Sequence, residues 1–311
     1  MLRLSPRRLA LLLALPLALP LAPLSLGCAS TRPASLAVPS PVAAPERAAA
    51  PGDSTRARAP RAAEESPRAA PERLTLESDG WRLVGEWTAP DTAPPHPAAL
   101  LLHRAAGSRA EYAELADQLR ACGVASLRLD LRAHGESTNL GEFTEPYAEK
   151  QALLVDSERD VNVALAWLRQ REDVDGDRLA VVAASYSGEA VGEALRAGGA
   201  EAAAYVMLSP GSFSDASIER IDRGAAEWLF VRTELEGPVS RPIIDELFEA
   251  LRAGSTRARY RLLPGRGHAT QIFTEHPEVV VELAAWIAAR VGADACARDD
   301  VARARRVAVD R

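Results

Sequence analysis

The chain has 311 residues, of which 47% are hydrophobic, 26% charged and 5% aromatic, and its formal net charge is −6 at pH 7. That length allows a sizeable core in one large domain or two modest ones. The acidic balance, without basic blocks in the body, excludes nucleic acid as the main partner, because phosphate binding needs a concentrated Lys/Arg face. Cys28, Cys122 and Cys296 stand far apart, with no Cys-x-x-Cys pair and no histidines at metal-ligand spacing, so neither a disulfide framework nor a zinc site is expected.

Residues 1–28 open with Arg3, Arg7 and Arg8, run apolar from Leu9 to Leu26 and end on small residues at Gly27-Cys28. This is the build of an export signal peptide, and Pro16, Pro20 and Pro23 disfavour a permanent membrane helix. Gly27-Cys28 resembles the lipobox of bacterial lipoproteins, with Ser25 standing where Leu is usual. The resemblance implies a lipid on Cys28 and membrane attachment through it, and Ala29 implies the outer membrane of a Gram-negative envelope. Simple cleavage into the periplasm with a free thiol stays open.

Residues 29–72 are rich in Ala, Pro, Ser and Arg without apolar periodicity, a composition that cannot bury enough surface to offset ordering entropy. They read as a disordered linker that lets a globular body work at some distance from a membrane. At the other end, residues 292–311 mix Asp and Arg without a hydrophobic stripe and read as a flexible tail containing Cys296.

The body, residues 73–291, begins with two strand-like runs, Leu74–Ser78 and Trp81–Trp87, joined by Asp79-Gly80, a dipeptide suited to a tight hairpin. Six further apolar runs of buried-strand length follow: Ala98–His103, Val124–Asp130, Arg178–Ala183, Ala203–Leu208, Trp228–Arg232 and Arg259–Leu263. Helical stretches alternate with them, as in Ser157–Arg171 with Val161, Leu165 and Leu168 on one face, and Pro277–Arg290 with Val279, Leu283, Trp286 and Ile287 on one face. The expected fold class is α/β, a doubly wound, mostly parallel sheet of about eight strands with helices on both faces. Only a brief helical piece around Ser217–Arg223 fits between Leu208 and Trp228, so no large lid domain is expected.

In such a sheet, ligands sit beyond the carboxyl ends of the strands. The first of these loops, His103-Arg-Ala-Ala-Gly-Ser108, is built of small residues and enters a helix, where backbone N–H groups can face a developing oxyanion. The second, Leu131-Arg-Ala-His-Gly-Glu-Ser137, contains His134, which is expected to pack and hydrogen-bond inside a rigid turn rather than to react.

Next, Ala184-Ser-Tyr-Ser-Gly188 leads from strand to helix, and a serine in such a sharp turn is pushed into the site. The turn requires very small residues two before and two after the nucleophile. Ala183 and Ser187 meet that need around Ser185, whereas centring on Ser187 would put Glu189 in one of those places. An ordinary helix start with capping serines stays open on this segment alone. The loop after the last strand, Pro264-Gly-Arg-Gly-His-Ala-Thr270, presents His268, and Thr233-Glu-Leu-Glu-Gly-Pro238 offers Glu234 and Glu236 to orient it. The order nucleophile, acid, histidine is the one that α/β-hydrolase topology requires.

Across residues 73–291 the chain resembles the α/β-hydrolase superfamily, in particular its dienelactone-hydrolase-like and small esterase branch. The resemblance is carried by Ala99-Leu-Leu-Leu-His103, Asp130-Leu-Arg-Ala-His-Gly-Glu-Ser137, Ala164-Leu-Ala-Trp-Leu168, Val174-Asp-Gly-Asp-Arg178, Leu208-Ser-Pro-Gly211 and Pro264-Gly-Arg-Gly-His268. It implies Ser185 as nucleophile, His268 as base, Glu236 as the acid with Glu234 two residues away as the alternative, and the backbone N–H groups of Ala105 and Tyr186 as oxyanion donors.

The implied activity is hydrolysis of a small-molecule acyl substrate, a carboxylic ester by default, through a Ser-His-Glu triad and an acyl-enzyme, with no cofactor or metal. A peptidase or acyltransferase would need the same triad. Ala183, Ser187, Arg104 and Glu236 depart from the branch's common pattern, so a weakened or inactive relative serving as an envelope binding or scaffold module is the competing expectation.

Overall fold

A computed structural model of the chain describes residues 70–144, 151–237, 240–254, 257–293 and 296. The expected signal peptide with Cys28, almost all of the linker, and the tail beyond Cys296 lie outside the described residues.

Eight strands form one sheet: β1 (Glu72–Ser78), β2 (Trp81–Thr88), β3 (His96–Leu102), β4 (Ala125–Leu129), β5 (Val174–Ala184), β6 (Ala204–Leu208), β7 (Glu227–Thr233) and β8 (Ala258–Leu263). Their order is β1-β2-β4-β3-β5-β6-β7-β8. Only the β1–β2 and β2–β4 pairs are antiparallel, and every pairing from β4 to β8 is parallel. The hairpin turns at Asp79 and Gly80, both with positive φ (51° and 81°), as a two-residue primed turn requires. The first strand starts at Glu72, two residues before the run that the alternation marks. β5 also starts early, at Val174, four residues before the run that begins at Arg178: Val174 pairs with His96, and the register shifts before Leu179 pairs with Ala98.

Burial on both faces explains why the central strands read as continuous apolar runs: every residue of β3, β4 and β6 is buried. The pleat sends alternate residues to two cores. Leu100, Val181, Met207 and Phe230 enter one, and Leu101, Val182, Val206 and Leu229 enter the other.

Seven α-helices are described: α1 (Ala113–Ala121), α2 (Ser157–Gln170), α3 (Tyr186–Arg196), α4 (Asp215–Arg223), α5 (Ser240–Gly254), α6 (Ile272–Glu275) and α7 (Glu278–Arg290). The first core is closed by Val161, Leu165 and Leu168 of α2, Val191 of α3 and Leu247 of α5. The second is closed by Leu115 and Leu119 of α1 and Leu283, Trp286 and Ile287 of α7. Between β6 and β7 stands α4 and no inserted domain.

One sequence expectation is overturned. Cys122 and Cys296 form a disulfide across 174 residues. Spacing hides this pair, since α1 and α7 pack together only in the fold, bringing the C-cap of α1 beside the segment that follows α7. Both cysteines are buried, so Cys296 is anchored to the body rather than carried on a free tail.

Candidate active site

The carboxyl ends of β3, β5, β6, β7 and β8 deliver five loops to one edge of the sheet. Ser185 stands between β5 and α3 with φ 56° and ψ −124°, a backbone region that a non-glycine residue enters only under strain. Its surroundings hold it there. Ser185 N–H donates to Leu208 O at 3.0 Å and Gly211 N–H donates to Ser185 O at 3.0 Å, so the loop after β6 grips the turn from both sides. The Ser187 hydroxyl accepts from Ala184 N–H at 2.8 Å and faces Leu102 O at 3.0 Å. Ser187 is therefore a buried brace, and Ser185 is the serine presented to the site.

From that turn a line of hydrogen bonds runs outward. Ser185 Oγ lies 2.9 Å from His268 Nε2, and His268 Nδ1 is hydrogen-bonded to Glu236 Oε1. The Glu236 side chain is fully buried while that of His268 is 33% exposed, so the acid is shielded and the imidazole borders solvent. Glu234, the alternative acid, is exposed, and its amide is used in pairing to Leu263 O. Glu236 follows three residues beyond Thr233, the end of β7, and its side chain is buried against His268.

Two supports escape sequence reasoning. Ser209, buried and at φ 45°, donates to Glu236 Oε2 at 3.1 Å and accepts from Ala269 N–H at 3.1 Å, joining Glu236 to the chain just after His268. Thr233 Oγ1 donates to Gly267 O at 3.0 Å, just before His268. The only signal for Ser209 was its place in Leu208-Ser-Pro-Gly211; a lone buried hydroxyl has no periodic signature.

On the other side of Ser185 lies the turn after β3. The His103 ring is fully buried; its Nε2 accepts from Leu131 N–H at 3.1 Å, so Nδ1 carries the proton and donates to Arg104 O at 2.8 Å. Burial drives its pKa down to about 3, so the ring is neutral and serves as a fixed two-ended strut. Ala105 follows in that turn, half-buried, and Tyr186 opens α3, where first-turn amides face away from the helix.

His134 behaves as the turn predicted. Its Nδ1–H donates to Arg132 O at 2.9 Å, and the ring is sandwiched between Phe143 and Tyr186, with centroids at 4.8 and 5.4 Å. The surrounding Asp130-Leu-Arg132 segment is held by buried charge: Asp130 accepts from Arg109 N–H at 2.6 Å and Glu136 N–H at 2.9 Å, and Arg132 pairs with Asp160.

A shallow cavity of about 230 Å³ adjoins the first turn of α3, lined by Leu154, Val155, Tyr186, Glu189, Ala190 and Glu193 among others. A larger one, about 860 Å³, opens at the opposite end of the sheet near Ala203 and Trp228, away from Ser185. Among the described residues there is no cluster of three or more His, Cys, Asp or Glu side chains able to hold a metal ion.

No protein-family model matches the chain, and no curated protein matches it either. Solved structures do. A dienelactone hydrolase from Anabaena variabilis shares 18% identity at a TM-score of 0.54, over 71% of this chain and 97% of that one. An esterase from Pyrococcus furiosus shares 15% identity at a TM-score of 0.56, over 71% and 93%. An α/β serine hydrolase without a lid from Xanthomonas campestris shares 18% identity at a TM-score of 0.53, over 72% and 94%. The chain has the α/β-hydrolase fold.

Proposed function

We propose that this α/β-hydrolase-fold protein is an exported, envelope-attached serine hydrolase that cleaves carboxylic esters of small-molecule substrates. The observation that carries the reading is the continuous hydrogen-bond line from Ser185 Oγ through His268 to the buried Glu236 carboxylate, mounted on a strained turn at the carboxyl edge of the sheet. A hydroxyl, an imidazole and a carboxylate in that order form the arrangement that makes a serine nucleophilic near neutral pH.

In the proposed reaction, Ser185 Oγ attacks the ester carbonyl while His268 Nε2 takes its proton. Glu236, accepting from Nδ1–H, fixes the tautomer that leaves Nε2 free to act as base, and stabilises the imidazolium as it forms. The tetrahedral oxyanion is received by the N–H groups of Tyr186 and Ala105. His268 then returns the proton to the departing alcohol, leaving an acyl group on Ser185. Water, activated by the same imidazole, releases the acid and restores the enzyme. The absence of an inserted domain between β6 and β7 favours an open site that accepts compact or extended esters directly.

Export and envelope attachment rest on residues 1–28 and the linker composition, and the Cys122–Cys296 disulfide supports them because such bonds persist in oxidising compartments. The test is to treat the full chain and its Ser185→Ala variant with a fluorophosphonate probe and locate any adduct by peptide mass spectrometry. An adduct on Ser185, lost in the variant, is expected. A folded, cooperatively melting protein that takes up no probe would overturn the catalytic reading in favour of an envelope binding module.

A further inference from the structure

Glu111 connects the two loops that flank Ser185. It sits in the 3-10 turn Arg109–Tyr112 that leads from the loop after β3 into α1. Its Oε1 lies 3.0 Å from Arg104 Nη2. Its Oε2 accepts from Thr270 Oγ1 at 2.9 Å, a contact between residues 159 apart in the chain.

Both ends of this bridge adjoin the reacting groups. Arg104 immediately precedes Ala105, whose carbonyl accepts from Arg104 Nη1 at 3.3 Å. Thr270 is buried two residues beyond His268, and Ala269 between them is at φ 57° with its amide on Ser209 Oγ. Gly107 makes room for the bridge: a Cβ there would lie 2.6 Å from Glu111 Oε2. The arrangement also gives Arg104, one of the departures from the branch's common pattern, a structural partner. Its guanidinium is the cationic half of a pair whose anionic half holds the histidine loop.

The Glu111 side chain is only 20% exposed, and burial raises its pKa above the usual carboxylate range. Sparsely solvated, it is oriented mainly by these partners.

We propose that Glu111 is a positioning residue that keeps the Ala105 amide and His268 in register on opposite sides of Ser185. This rests on the serine-hydrolase reading above. It predicts energetic coupling between Arg104 and Thr270, two residues that share Glu111 as a partner and have no hydrogen bond to each other, transmitted by Glu111.

The test is a double-mutant cycle of Arg104→Ala and Thr270→Val, repeated with Glu111→Ala, on the full chain with p-nitrophenyl acetate. Thermal melting and fluorophosphonate labelling rate are followed in parallel. Each single variant is expected to lower kcat about tenfold with KM nearly unchanged, and the pair to fall short of additivity by about fivefold. That coupling should vanish when Glu111 is alanine. Glu111→Gln, which retains an acceptor for Thr270 but removes the charge facing Arg104, should fall between wild type and Glu111→Ala. It carries the test if the alanine variant does not fold.

Additive losses, or Glu111→Gln labelling Ser185 at the wild-type rate while the wild type is active, overturn the positioning role and leave the hydrolase reading standing. A folded wild type that neither labels nor hydrolyses overturns both.

Discussion

Ser185 and His268 are 83 residues apart in sequence, yet Ser185 Oγ and His268 Nε2 lie within 2.9 Å. If they act as one proton-transferring unit, removing either should cost nearly as much as removing both. Ser185→Ala and His268→Ala are each expected to lower kcat for p-nitrophenyl acetate by about 10⁴-fold or more, with the double variant no slower than the worse single one. Multiplicative losses in steady-state assays would show that the two do not share a step.

The second prediction separates two carboxylates that the sequence leaves adjacent. Glu236 is buried against His268 and Ser209, whereas Glu234 is exposed. Glu236→Gln preserves shape but can present an amide N–H to Nδ1 and favour the wrong tautomer, so kcat should fall about 10²- to 10⁴-fold. Glu234→Gln should stay within about threefold of wild type, as surface changes away from reacting groups usually do. Comparable losses in both variants would remove the acid role from Glu236.

The central strands are legible because burial on two faces turns each into a short apolar run, and β1 and β2 because strand-like runs flank the Asp79-Gly80 turn. Ser185, Glu236 and His268 stand out because each follows such a run, in one order along the chain. Legibility ends where a group is defined only by what the fold brings to it. Ser209 touches Glu236 across 27 residues and Glu111 touches Thr270 across 159, and neither distance leaves a pattern in composition or periodicity. Cys122 and Cys296 are the same case, since spacing argues against pairing and only the packing of α1 on α7 reveals it.

The disulfide yields the third prediction. It closes a loop with a sequence separation of 174 and anchors the segment after α7 against α1. Constraining the unfolded chain over so long a loop, together with burial of both sulfurs, is worth about 2–4 kcal/mol. Cys122→Ala with Cys296→Ala should therefore lower the Tm by roughly 5–15 °C. Because the bond lies far from Ser185, at the amino-terminal end of the strands, fluorophosphonate labelling at 25 °C should be retained. Differential scanning calorimetry with and without reductant checks the first part; an unchanged Tm would mean that the bond adds no net stability.

His103 yields the fourth. Burial lowers its pKa from 6.5 to about 3, and it is the neutral ring that both accepts from Leu131 N–H and donates to Arg104 O. The unfolded chain therefore binds a proton that the native state refuses, so stability is fully present above pH 6.5 and is lost as pH falls toward 3. Between pH 7 and pH 4 this one ring should remove about 3 kcal/mol. His134, whose pKa is also lowered by burial, should add to the loss in the same direction. His103→Asn, which can keep the donor toward Arg104 O, should be less stable at pH 7 but flatter in pH, its slope reduced by about one proton between pH 6 and pH 4. Urea melts across that range measure the slope directly. If the variant and the wild type lost stability in parallel, His103 would already be protonated in the native state, and the loop after β3 would not depend on a neutral strut.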